Sequence, residues 1–119
     1  MGTLYYGTGS HPVEIDDRLL AYLKVVIAVK LRRNEAFTLT WKHGPEAAPG
    51  RSMIWLQPSI PLRFVFDGEA ADPLSRAYLD ALVQQANSTS GVTVDLGDPG
   101  AVPVAPARPA PVRELSDVA

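Results

Sequence analysis

The chain has 119 residues, a formal net charge of −2, 46% hydrophobic and 20% charged residues, and no cysteine. These are ordinary globular values and the length suits one domain. The missing cysteines exclude a disulfide framework, a thiolate metal site and a thiol nucleophile. The charge is uneven: residues 1–63 carry eight Lys and Arg against five Asp and Glu, and residues 64–119 carry three against eight. A basic face for nucleic acid is one reading of that asymmetry. Two complementary halves of one domain is the plainer one.

Leu4-Tyr5-Tyr6 reads as a short strand, Gly7-Thr8-Gly9-Ser10 as a turn, and Pro12 to Ile15 as a second strand closing a hairpin. The two glycines invite comparison with a phosphate-cradling loop. Pro12 stands where a third glycine would be needed, so the hairpin turn is preferred.

Asp16 then caps a helix running to Arg33, with Ile15 and Leu20 as a hydrophobic staple. Leu20, Leu23, Ile27 and Leu31 form one stripe, widened by Leu19, Val26, Tyr22, Val25 and Val29. A helix so apolar must be covered on more than one side and organises the fold. Lys30, Arg32 and Arg33 complement the dipole at its C-terminus. They also make the strongest electrostatic candidate, an anion site to which Lys42 and Arg51 could add. Asn34-Glu35 ends the helix.

Phe37 to Trp41 alternates strictly and reads as a strand with Phe37, Leu39 and Trp41 inward. His43 to Gly50 is a loop. Arg51 to Leu56 is the next strand; if Ile54 and Leu56 point inward, Met53 and Trp55 point outward. An exposed tryptophan beside Arg51 marks a contact surface. Leu62 to Phe66 is a further strand after the break at Pro58 and Pro61, and Asp67-Gly68 a turn. Asp72-Pro73 is expected to start a second, one-sided helix carrying Leu74, Tyr78, Ala81, Leu82 and Gln85. Val92 to Leu96 reads as a last edge strand.

From Gly97 the composition changes, with five of the eleven prolines between Pro99 and Pro111. The expected organisation is one domain over 1–96 and an extended tail over 97–119. The expected fold class is α+β: a small, mostly antiparallel sheet with a long N-terminal helix and a shorter second helix on one face.

No catalytic signature stands out. His11 and His43 are the only histidines, both beside turn residues and read as loop residues. The N-terminus lacks a signal peptide and the longest apolar stretch is too short for a bilayer, so a cytoplasmic protein without a membrane partner is expected.

Several blocks in order, Met1 to Gly7, Ile15 to Arg18, Lys30 to Phe37, Trp41 and Gly50 to Leu62, resemble a family of small uncharacterised actinobacterial proteins. Its members are often labelled ATP-dependent DNA ligase, and the resemblance would imply ATP as cofactor. Adenylate transfer needs a lysine nucleophile in the pattern Lys-x-Asp-Gly. The sole Asp-Gly is Asp67-Gly68, preceded at the lysine position by Val65, so that motif is absent. The residues therefore favour a non-enzymatic binding module without a cofactor; the alternative that the resemblance implies is an ATP-dependent DNA ligase or a ligase-associated protein, with ATP as its cofactor. The contact residues of the binding module are Lys30, Arg32, Arg33, Arg51 and Trp55, and its partner a nucleic acid or an acidic protein surface. A homodimer completing the first helix is a further possibility.

Overall fold

In a computed structural model the chain is α+β, and the structure describes residues 1–8, 12–69, 73–98 and 102–103. The elements in chain order are β1 (Gly2–Tyr6), β2 (Val13–Ile15), α1 (Asp17–Arg32), β3 (Phe37–Lys42), β4 (Arg51–Leu56), β5 (Leu62–Val65), α2 (Arg76–Ala86) and β6 (Val92–Asp95). The single sheet expected from the sequence is two three-stranded sheets, ordered β2-β1-β5 and β4-β3-β6. Every pairing is antiparallel except β3 with β6, which is parallel. The parallel pair follows from α2, whose crossover brings β6 back alongside β3.

The helix α1 is built as its sequence dictates. Asp16 caps it, its carboxylate accepting from the Arg18 N–H at 3.1 Å. At the other end Asn34 adopts φ 61°, Glu35 N–H donates to the Lys30 carbonyl at 3.1 Å, and Asn34 N–H donates to that of Leu31 at 3.0 Å. That pair of bonds is a Schellman stop, which asparagine tolerates better than most residues. Leu19, Leu20, Tyr22, Leu23, Val26, Ile27 and Lys30 are buried. At 100° per residue they span an arc of about 160°. Lys24 and Ala28 on the opposite side are exposed.

The buried arc of α1 joins Leu4 and Ile15 of one sheet, Phe37, Leu39, Trp41, Leu56, Val92 and Val94 of the other, and Leu82 and Ala86 of α2 in one core cluster. The chain's own strands and α2 therefore pack against the apolar face of α1. Gly2 marks where β1 crosses α1 most closely. A Cβ there would lie 2.7 Å from Leu20 Cδ2 and 2.8 Å from both Asp17 Oδ1 and the Val65 carbonyl. Only glycine admits that approach.

The second helix begins later than its sequence suggests. Ser75 is the cap, with extended backbone and its hydroxyl accepting from the Tyr78 N–H at 3.4 Å. Asp72 lies outside the described residues. The Ser75 N–H is itself held, donating to the Tyr22 hydroxyl at 2.7 Å. That hydroxyl donates in turn to the Pro103 carbonyl at 2.7 Å, and Arg18 Nη1 donates to the Val102 carbonyl at 3.3 Å. Val102 is buried in the core cluster. Val102 and Pro103 thus contact the packed body although they lie beyond residue 96. The rest of the Pro-rich segment lies outside the described residues.

Candidate functional site

The β4-β3-β6 sheet turns one face to α1 and leaves the other uncovered among the described residues. Strand alternation sorts β4 cleanly: Ile54 and Leu56 face the core, while Arg51, Met53 and Trp55 face out. Met53 is 64% and Trp55 54% exposed, the two largest apolar exposures in the sheet. Across the register Trp55 stands beside Thr38, Met53 beside Thr40 and Arg51 beside Lys42. On the far side of β3, Thr93 and Asp95 stand beside Thr40 and Lys42. Lys42 Nζ lies 3.8 Å from the Asp95 carboxylate, an exposed pair of small energetic weight. A shallow groove of about 710 Å³ runs over this face between Arg51, Met53, Thr40 and Thr93.

The five candidate contact residues separate. Arg51 and Trp55 share the open face. Arg32 and Arg33 are exposed at the C-terminus of α1, next to the start of β3. Arg51 pairs with Lys42 at the opposite end of that strand. Five residues of strand, about 17 Å, lie between the two ends. The basic cluster expected from the sequence is therefore two separate pairs, Arg32 with Arg33 and Lys42 with Arg51.

Lys30 leaves the contact set altogether. It is 6% exposed, donates to Asn87 Oδ1 at 2.8 Å and lies 3.0 Å from the Glu35 carboxylate. Its position on the buried arc of α1, between Val26 and Ile27 and the helix end, forces the stem inward. The ammonium group emerges where α2 ends and ties the two helices together. Its charge is spent inside the fold.

The edges of this sheet differ. At β6 the Thr93 N–H is closed by the Gln85 side-chain oxygen at 3.2 Å. At β4 the ladder to β3 includes the bond from His43 N–H to the Gly50 carbonyl at 2.9 Å. Pairs two apart repeat that pattern, so the even-numbered residues of β4 bond to β3. The N–H and C=O groups of Arg51, Met53 and Trp55 then point away from β3, to the open edge. The Trp55 carbonyl is taken by the Tyr6 hydroxyl of the other sheet.

A second concavity, a cleft of about 510 Å³, lies between the two sheets, with Tyr6, Val13, Trp41 and Ile54 among its walls and Glu14 and Glu46 lining it. His43 also lines it. His43 Nε2 lies 2.8 Å from Ser52 Oγ and Nδ1 2.9 Å from the Ala48 carbonyl. A carbonyl only accepts, so Nδ1 carries the proton and Nε2 accepts from the Ser52 hydroxyl. This is a nucleophile–base spacing that the sequence does not announce, because it depends on the hairpin register that sets the two residues diagonally across β3 and β4. Among the described residues no carboxylate completes the pair as a triad. The orienting group is a backbone carbonyl, and the Ser52 N–H faces the β3 ladder where it cannot stabilise an oxyanion. The pair pins the loop 43–50 to β4. His11, the other histidine, lies outside the described residues.

No group of three or more His, Asp or Glu residues positioned to hold a metal occurs among the described residues. No helix among them is long and apolar enough to cross a membrane.

The signature of a domain of unknown function, DUF7882, matches residues 1–96. The chain belongs to the DUF7882 family. No curated protein and no solved structure matches it. The matched span contains both sheets and both helices, so the open face of β4-β3-β6 is part of the DUF7882 unit. The contacts made by Val102 and Pro103 fall beyond it.

Proposed function

We propose that this DUF7882 domain is a non-catalytic binding module that presents the outer face of β4-β3-β6 to an acidic segment of a protein partner. The observation that carries this reading is the pairing of Met53 and Trp55, both more than half exposed, with Arg51 on the same face of one strand. Tryptophan, methionine and arginine are the residues enriched at protein interfaces, and tryptophan and arginine dominate their energetics. Lys42 and Arg51 supply the positive charge that selects an acidic partner. Among the described residues the face carries those two cations with Asp95 beside them, and the chain as a whole is at −2. That density favours a protein over a nucleic acid, whose binding rests on many phosphate contacts.

The test is affinity capture on the full chain, with and without nuclease, comparing the native protein with Trp55→Ala and Arg51→Glu. Nuclease-resistant capture of a protein, lost in both variants, supports the reading. Capture of nucleic acid that nuclease removes would replace the partner class. Capture unchanged by both variants would move the site elsewhere.

A further inference from the structure

We infer that the partner binds by strand addition: an extended segment with an acidic residue two positions from an apolar one pairs with the open edge of β4. This rests on the reading above and names how that face is used.

The backbone supplies the first part of the argument. Of the two edges of β4-β3-β6, the β6 edge is occupied where Gln85 accepts from Thr93 N–H. On β4 the Tyr6 hydroxyl closes the Trp55 carbonyl. Among the described residues no hydrogen bond engages the outward N–H and C=O groups of Arg51 and Met53. An exposed strand edge with free groups is a template for another strand, and proteins ordinarily blunt it with charge, proline or cover. Here the edge strand carries no proline, and Met53 and Trp55 flank its centre instead of charges. Arg51 is the one charge on this strand.

The side chains supply the second part. In β4 the residues whose backbone faces the open edge are those whose side chains stand on the open face. An added strand therefore places alternate residues beside Arg51 and Met53, at cross-strand spacing. An acidic residue fits beside Arg51, whose forked guanidinium matches a carboxylate, and an apolar residue two positions away fits beside Met53 and Trp55. The intervening residues point to the other face of the sheet, where Ile54 and Tyr6 line the 510 Å³ cleft. Those positions take small apolar side chains. The segment so defined is short, about four residues, because Tyr6 closes the edge at Trp55. Backbone bonds provide affinity and the alternating side chains provide selectivity, as in other edge-addition modes.

The experiment uses the full chain, isotopically labelled, titrated with a synthetic six-residue peptide that carries aspartate at its second position, valine at its fourth and sixth, and alanine at the intervening positions. Two further peptides carry N-methyl groups on one or the other alternating set of amides. The expected result is that the parent peptide shifts the amide signals of Arg51 and Met53 and slows their hydrogen exchange at least threefold. One N-methylated peptide should lose at least tenfold in affinity and the other should keep it. Equal loss or equal retention by both N-methylated peptides, with binding still weakened by Trp55→Ala, overturns strand addition and leaves the face as the contact surface. Binding indifferent to Trp55→Ala and Arg51→Glu overturns the face as well. Absence of any shift at Arg51 and Met53 at millimolar peptide overturns the inference outright.

Discussion

Replacing Lys30 separates a structural lysine from a contact lysine. The ammonium donates to Asn87 Oδ1 at 2.8 Å and pairs with Glu35 at 3.0 Å, with the lysine side chain 8% and the glutamate 46% exposed. A hydrogen bond to a charged group contributes about 1.5–3 kcal/mol net. An ion pair with one partner half in solvent adds about 0–1 kcal/mol. Lys30→Met keeps the apolar stem and removes the charge, and both former partners turn to water because Asn87 and Glu35 are exposed. Its cost should be about 1–2 kcal/mol. Asn87→Ala leaves the buried ammonium with one partner, and its cost should match or exceed that of Lys30→Met.

The double variant decides the matter. If the bond between α1 and α2 is what each single change removes, the double costs little more than the larger single change, and the coupling is about 1–2 kcal/mol. Urea unfolding of the four proteins measures this, provided the slopes agree. Additivity within about 0.5 kcal/mol would refute the assignment of Lys30 to the helix–helix tie. Binding of an acidic partner should be the same in Lys30→Met as in the native protein.

Four other outcomes follow from the same geometry. Gly91 sits at φ 73°, and a Cβ there would lie 2.1 Å from Thr38 Oγ1 and 2.4 Å from its carbonyl oxygen, so Gly91→Ala should lose at least about 2 kcal/mol in urea unfolding. Tyr22→Phe deletes the hydroxyl shared by Ser75 and Pro103; it should cost about 1–3 kcal/mol and speed exchange of the Ser75 amide, and unchanged exchange there would contradict the structure. The Gly68 N–H, helped by that of Asp67, holds the Asp17 carboxyl below the usual carboxylate range. The unfolded chain then binds the proton first, so the advantage of the native protein over Asp17→Asn should be constant near neutrality and shrink as pH falls below about 4. Trp55→Ala should change stability by no more than about 0.5 kcal/mol, because the side chain is largely exposed, and a larger loss in thermal unfolding would show that it packs.

The elements were legible where local signals act alone. The Asp16 cap, the wide stripe on α1 and the stop at Asn34 depend only on neighbours in sequence, and the helix stands where they place it. Strict alternation in Phe37 to Trp41 likewise fixes which side chains enter the core. The start of α2 was misplaced because Asp72-Pro73 offers a valid cap and a competing one stands three residues later. Ser75 prevails because its N–H finds the Tyr22 hydroxyl, a partner 53 residues away. The split into two sheets was equally hidden, since pairing β1 with β5 and β3 with β6 is decided by how α1 and α2 pack. Val102 reads as tail by composition, yet it fills a place over α1 that only the assembled helix pair creates.

The candidate site divides along the same line. Parity in Arg51 to Leu56 identifies Met53 and Trp55 as outward residues, because a strand has only two faces. Charge in sequence gives no such constraint: Lys30, Arg32 and Arg33 are neighbours in the chain, but the 100° step of a helix turns the first into the core and leaves the other two in water. Whether Arg51 joins them depends on which end of β3 it pairs with, and the hairpin through the loop 43–50 puts it at the far end. The same hairpin register sends the backbone groups of Arg51 and Met53 outward. Shifting it by one residue would turn Met53 and Trp55 to the core and Ile54 to solvent, and would exchange which backbone groups face the edge. The His43–Ser52 bond resists that shift by joining residues on the core side of both strands. A loop contact outside the open face thus holds the register on which the proposed binding depends, and Ser52→Ala should lower the affinity of that face for the acidic peptide without touching a contact residue, which titration of the variant beside the native protein measures.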